Sequence, residues 1–220
     1  MIPRGIGLLG GTFDPVHNGH LELARAALGA FGLVRVDFLP AGAPWQKQWV
    51  TSGEHRLAML ELALDKMPDF GIETDELMRS EPTYTIATLE RLRRRVGPAM
   101  PLVLLIGGDQ WRNLHTWRRW RELTDFASIG VCRRGDAPLE AAPEVVDWSR
   151  ERLRPAETLN EVASGGIAFF GMQPHEASAT AVRRAVGAQP FAAAMRRLDG
   201  WLPLAVAGYI RARGLYGARG

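Results

Sequence analysis

Cysteine is almost missing from this chain, with Cys132 the single example in 220 residues. That rules out an internal disulfide and leaves no cysteine cluster to hold zinc. In the run ASIGVCRRG the thiol is expected to sit as a small buried hydrophobe, not as a nucleophile. Lysine is scarce too: Lys47 and Lys66 are the only ones, so nearly all the positive charge is arginine and Lys47 stands out. No apolar run approaches the length of a membrane span, and the opening residues lack the basic and apolar regions of a secretory signal. A membrane partner is therefore not expected, and a reducing, cytoplasmic setting is. Internal repeats and low-complexity segments are also absent.

Hydrophobic residues make up 46% of the chain and charged ones 23%, as in ordinary globular proteins. The length suits one domain over residues 1–220, with an irregular excursion near 135–166 and a helical carboxyl end. A net charge of +3 favours anionic ligands without choosing between small phosphorylated molecules and nucleic acid. The arginine-rich runs RLRRR (91–95) and WRRWRE (117–122) could serve as nucleic-acid patches, but the first reads better as a solvated helix face, and no nucleic-acid partner is expected.

Short apolar runs alternate with helical patterns along the chain. IGLLG, VRVDFLP, FGIETDE, PLVLLIGGD, FASIGVCRR and GIAFFGM read as strands. GHLELARAALGAF, EHRLAMLELALDKM, TYTIATLERLRRR, SATAVRRAVG and PLAVAGYIRARG read as helices. This alternation predicts an α/β fold, a Rossmann-like open parallel sheet with helices on both faces. Ligands of such sheets lie at the carboxyl ends of the strands, so the residues just after each strand carry the functional information.

The opening stretch GIGLLGGTFDPVHNGH matches the dinucleotide fingerprint G-x-G-x-x-G at Gly5, Gly7 and Gly10. Too few residues precede Gly5 to form the strand that this fingerprint requires. The run Ile6 to Leu9 is itself the expected first strand, and the loop begins at Gly10 and Gly11. These glycines let a bulky anion approach the backbone, and Asn18 and Gly19 open a helix whose free N–H groups favour negative charge. His17 and His20, three apart, can present their rings to one ligand. Zinc is not expected, because two histidines leave the ligand set short.

GGTFDPVHNGH resembles the opening signature of the nucleotidyltransferase superfamily that carries an H-x-G-H element, here His17 to His20. Within it the chain is similar to the bacterial nicotinate-nucleotide adenylyltransferases, from about Gly7 to Tyr216, through EHRLAML, EPTYTIATL, IGGDQW, LHTWRRW, CRRG and SATAVR. The resemblance implies transfer of the adenylyl group of ATP to nicotinate mononucleotide, giving nicotinate adenine dinucleotide and pyrophosphate.

It further implies a catalytic set of His17, His20, Lys47 and Arg183. The implied ATP site comprises Gly10, Gly11, Thr12, Phe13, His17, His20, Gly107, Asp109, Ser178, Thr180 and Arg183. The implied nicotinate mononucleotide site comprises Lys47, Thr85, Trp117 and Arg134. Mg²⁺ is the expected cofactor, held mainly through the ATP phosphates. Chemistry supports several of these positions directly. Asp109 follows a buried strand, where its carboxylate can accept from a ribose diol or cap the next helix. Ser178 and Thr180 open a helix one turn before Arg183, a suitable grip on phosphates.

The sequence departs from the family pattern at Gln46, where a histidine is usual, and after Arg134, where Gly135 and Asp136 replace Pro-Gly. The alternatives are a phosphopantetheine adenylyltransferase, whose chain is shorter and lacks TYTIATL and LHTW, another small-molecule adenylyltransferase, and a non-catalytic nucleotide- or nucleic-acid-binding module.

Overall fold

The computed structural model describes residues 5–42, 50–79, 81–135 and 139–218, with the backbone alone at Arg134. Lys47, and the Gln46 departure beside it, lie outside the described residues, as does the side chain of Arg134.

In chain order the elements are β1 (Ile6–Gly11), α1 (Asn18–Phe31), β2 (Arg35–Pro40), α2 (Gly53–Leu64), β3 (Phe70–Ile72), α3 (Thr85–Val96) and β4 (Leu102–Gly107). There follow α4 (Gly108–Arg112), α5 (Leu123–Phe126), β5 (Ser128–Arg134), α6 (Pro143–Ser149), β6 (Ile167–Met172), α7 (Ala179–Ala188), α8 (Phe191–Arg197) and α9 (Leu204–Ala212). The strands form one six-stranded sheet in the order β3-β2-β1-β4-β5-β6, and every neighbouring pair is parallel. The order reverses between β1 and β4, which places the crevice of the sheet at the carboxyl ends of those two strands.

Two apolar cores, one on each face, explain why the central strands read as unbroken hydrophobic runs. In β4, Val103 and Leu105 point into the first core, and Leu102, Leu104 and Ile106 into the second. The first core receives Ala24, Ala27 and Phe31 of α1, Met59 and Leu60 of α2, Val182 and Val186 of α7, Phe191 of α8 and Val206 and Ile210 of α9. The second receives Ile86, Leu89 and Leu92 of α3, Trp111 of α4, Leu123 of α5 and Val145 of α6. Cys132 is fully buried, in keeping with its apolar run.

The pattern of elements follows the sequence reading, with local differences. Strand β1 runs on through Gly10 and Gly11, because both keep pairing with Leu39 and Pro40 of β2. The loop therefore starts at Thr12. Helix α7 includes Gly187 and ends at Ala188 rather than at the glycine. The short helices α4, α5 and α8 have no counterpart in the sequence reading.

The arginine runs are tied into the fold. Arg91 pairs with Asp75 at 2.5 Å and Arg95 pairs with Glu73. Arg93 donates to the carbonyls of Gly97, Met100, Phe126 and Ala163, lashing the end of α3 to the starts of β4 and β5. Arg119 pairs with Glu90 and Glu122, and Arg121 lies 4.2 Å from the centre of the Trp120 ring. Arg94, Arg95, Arg118, Arg119 and Arg121 are exposed, so the runs are largely solvated, while the partly covered Arg91 and Arg93 also fasten α3 to neighbouring segments.

Candidate active site

The loop between β1 and α1 brings the paired histidines to the crevice. His17 is the N-cap of α1, in extended conformation, and only 4% exposed. Its ring stacks on that of His20 with centroids 3.7 Å apart and planes at 24°. Its backbone N–H donates to Nδ1 of His20 across 3.2 Å. Accepting at Nδ1 places the proton of a neutral His20 on Nε2, which makes that nitrogen a donor. Gly19 leaves room for the stack: a Cβ there would lie 3.1 Å from Nδ1 of His17. Asn18 anchors the start of α1, donating from its backbone to Trp201 and from its side-chain amide to Gly200, both at 2.8 Å.

Asp14 is the hub of the same loop and only 3% exposed. One carboxylate oxygen accepts from the backbone N–H of Thr51 at 3.1 Å and the other from the Tyr216 hydroxyl at 2.6 Å. Burial, and then the bond to Asp14, push the Tyr216 phenol well above its ordinary range, so it stays a donor. The equally buried Arg56 donates to the carbonyls of Thr12, Gly42 and Thr51 at 2.9–3.1 Å. Burial lowers the pKa of its guanidinium and the nearby Asp14 carboxylate opposes that shift. Arg183 of α7 donates to the Asp14 carbonyl at 2.6 Å and to the Thr180 hydroxyl at 3.3 Å. Asp14, Arg56 and Tyr216 were not singled out in the sequence. Burial of charge was the signal that mattered, and a linear string does not display it.

Among the expected nucleotide contacts, Phe13 turns inward. Its ring is 2% exposed and packs on His20 and Phe38, with centroids 5.0 and 5.4 Å away. Any contact with ligand must come from its backbone. Ser178 is the N-cap of α7 and its hydroxyl accepts from Ala181 at 3.1 Å, the ordinary capping role. Asp109 does not cap α4; Gly107 is the N-cap, and Asp109 lies exposed in the first turn. A Cβ on Gly107 would meet the tip of the exposed Asp109 side chain at 2.8 Å, so the two residues stand close together at the start of α4.

A cavity of about 460 Å³ joins Gly10, Gly11, Thr12, Thr85, Asp109 and Trp117. A Cβ on Gly10 would have no atom within 4 Å, so the absence of side chains there keeps this wall open. Across the cavity, α3 begins at Thr85, and its N-cap, Tyr84, offers no side-chain hydrogen bond. Glu76 lines the same space and accepts from the hydroxyls of Thr83 and Thr88 at 2.7 and 2.8 Å, which fixes the turn entering α3. Trp117 is half-buried against the second core with the rest of its ring available to the cavity. A second hollow of about 400 Å³ is lined by Arg133, Gly135, Phe169, Phe170 and Gly171, with Arg133 lying over Phe169. Among the described residues, no group of three histidine, cysteine, aspartate or glutamate side chains is placed to hold a metal ion, and no helix is long and apolar enough to cross a membrane.

Residues 8–185 match the family described as Cytidylyltransferase-like. A protein of Dechloromonas aromatica named "Probable nicotinate-nucleotide adenylyltransferase" is 38% identical, over 96% of this chain and 97% of its own. A Neisseria meningitidis serogroup C protein of the same name is 37% identical over 97% of this chain and 98% of its own. The fold matches that of the Plasmodium falciparum nicotinic acid mononucleotide adenylyltransferase solved with NaAD, at a TM-score of 0.72, 15% identity and 98% coverage of both chains. It also matches a putative nicotinate-nucleotide adenylyltransferase of Vibrio parahaemolyticus, at a TM-score of 0.61, 13% identity and coverage of 97% and 95%. Likeness to the curated relatives runs through nearly the whole chain, the histidine loop included, and the chain belongs to the nicotinate-nucleotide adenylyltransferase family of cytidylyltransferase-like proteins.

Proposed function

We propose that the protein transfers the adenylyl group of ATP to nicotinate mononucleotide, giving nicotinate adenine dinucleotide and pyrophosphate. The observation that carries this reading is the stacked histidine pair at the N-terminus of α1, at the end of a loop whose first residues, Gly11 and Thr12, line a cavity that reaches the N-terminus of α3.

The chemistry is in-line displacement. A 5′-phosphate oxygen of the mononucleotide forms a bond to the α-phosphorus of ATP, and the bond from that phosphorus to the bridging oxygen breaks as pyrophosphate leaves. The protein has to align two anions and offset the charge that builds on the oxygens. His20 Nε2, His17 and Arg183 are assigned to the triphosphate, with Gly10, Gly11 and Thr12 supplying close backbone approach and Ser178 and Thr180 opening α7 beside them. Lys47 and Arg134 keep their assignment to the mononucleotide phosphate from family resemblance alone. Asp109 and Gly107 are assigned to the ribose and base of ATP, and Thr85 and Trp117 to the pyridine ring.

Mg²⁺ is assigned to arrive with ATP. Both Asp14 carboxylate oxygens already accept hydrogen bonds, so the ion's ligands would be phosphate oxygens and water, and its chemistry would be neutralisation of phosphate charge. The test is pyrophosphate release with ATP, Mg²⁺ and nicotinate mononucleotide, nicotinamide mononucleotide or phosphopantetheine. Turnover with the first supports the reading. Turnover with phosphopantetheine alone, or with none, overturns it.

A further inference from the structure

Tyr216 is 202 residues from Asp14 in sequence, yet its hydroxyl donates to Oδ1 of that buried carboxylate at 2.6 Å. The turn that delivers it is costly for the backbone. Tyr216 itself holds a left-handed conformation, φ 59°, between Gly214 at 61° and Gly217 at 77°. Glycine accepts such angles freely, whereas a tyrosine there is strained and persists only where its surroundings compensate. Two contacts do so. The Tyr216 carbonyl packs close against Gly187 of α7, where a Cβ would come within 3.1 Å, and the hydroxyl reaches Asp14.

Asp14 is bound from several sides at once. Thr51 donates to its carboxylate, Arg183 to its carbonyl, and Arg56 to the carbonyl of Thr12 two residues earlier. The loop from Thr12 to His17 is short, so the position of Asp14 sets where the His17 and His20 pair stands. Tyr216 touches the loop through Asp14 and lines neither cavity.

We propose that Tyr216 is a positioning residue: by donating to Asp14 it clamps the Thr12–His17 loop, with Arg183 attached, in the geometry required for adenylyl transfer. The inference rests on the adenylyl-transfer reading for its kinetic consequence, and its structural consequence is open to measurement without substrate.

The test compares Tyr216→Phe, which removes one oxygen and keeps the ring, with Tyr216→Ala. The expected result for Tyr216→Phe is a fall in kcat of roughly tenfold to a hundredfold, the usual weight of a hydrogen bond to a charged group. KM for both substrates should stay within about twofold, because the residue contacts neither. Amide hydrogen exchange should speed up across residues 12–17 while β4 stays protected, which separates loss of the clamp from global unfolding. If Tyr216→Phe keeps the wild-type kcat and only Tyr216→Ala loses it, the ring is packing and the proposal fails. Unchanged exchange across residues 12–17 in Tyr216→Phe overturns it as well, whatever the rate. Absence of wild-type turnover would count against the functional reading alone, because the exchange measurement still decides whether the clamp exists.

Discussion

The backbone N–H of His17 donates to Nδ1 of His20 while the two rings stack 3.7 Å apart. One side chain thus both closes the first turn of α1 and, through its other nitrogen, offers a donor to a ligand. Substitutions can separate these roles. Asparagine reproduces the position of Nδ1, so His20→Asn should keep the cap and leave Tm within a few degrees while losing the Nε2 donor. Glutamine reaches toward Nε2 and gives up the cap. Loss of one donor that acts in the transition state costs on the order of 2–4 kcal/mol, so His20→Asn should lower kcat about 10²–10³-fold and His20→Gln less. Steady-state kinetics and thermal melts of both variants check this. A larger kcat loss in His20→Gln than in His20→Asn would show that the cap, not the donor, is what matters.

Gly19 sets stability against activity. Inside a helix, alanine is favoured over glycine by roughly 0.5–1 kcal/mol, so Gly19→Ala should preserve or raise Tm. The added Cβ would lie 3.1–3.2 Å from Nδ1 and Cε1 of His17, whose ring is nearly buried and held against His20. That ring has to tilt. The expected outcome is a stable protein whose kcat falls about tenfold or more, read from melts and initial rates on one preparation. Wild-type kcat in Gly19→Ala would show that the stack tolerates displacement.

How much of this was legible in the sequence depends on the range of the interaction. Strands and most helices were readable, because period and capping are local: Ser178 caps α7 as its residue type predicts. So was the pairing of His17 with His20, three apart at a helix start. The Asp14 hub was not, since it draws on Thr51, Arg183 and Tyr216 from distant segments and leaves no periodic trace. Arg93 shows the same limit. Its run looks like a solvated face, yet its guanidinium satisfies carbonyls as far away as Ala163. Helix α4 is only five residues long, too short to carry a periodicity.

Asp75 makes stability pH-dependent. Burial pushes its carboxyl pKa up, but hydrogen bonds from Arg91 and Arg79 outweigh that and hold it below the ordinary value of 3.8. A group depressed in the folded state stabilises the fold above its unfolded pKa, and that contribution is lost as pH falls through the folded value. Arg91 is the stronger partner at 2.5 Å and is itself largely covered. Asp75→Asn should therefore destabilise by about 1–3 kcal/mol at pH 7, the range for hydrogen bonds to charged groups. Denaturant titrations at pH 7 and at successively lower pH should show the gap between variant and wild type closing below about pH 4. A gap that stays constant with pH would mean that shape, not charge, carries the effect.

The acid should be preferred over the amide at the pyridine ring, and the structure supplies the reason at two residues. Helix α3 begins at Thr85 without a side-chain cap, so its first-turn N–H groups and the positive end of its dipole meet the cavity. A nicotinate carboxylate placed there would accept from two donors at once. The nicotinamide group would turn an NH₂ toward the same N–H groups, and an opposed buried donor costs roughly 1–3 kcal/mol, or about ten- to a hundredfold in kcat/KM. Trp117 is expected to act differently: its half-buried ring lines the cavity, and a flat face there would read the pyridine but not its substituent. Trp117→Ala should therefore raise KM for both mononucleotides and leave their kcat/KM ratio within about twofold of wild type. Thr85→Pro adds the contrasting test. Proline is tolerated at the first position of a helix and removes one N–H, so it should reduce the acid-to-amide ratio with little loss of amide turnover. Equal kcat/KM for acid and amide in the wild type would remove the helix terminus as the source of selectivity; a ratio that falls with Trp117→Ala and stands with Thr85→Pro would exchange the two assignments.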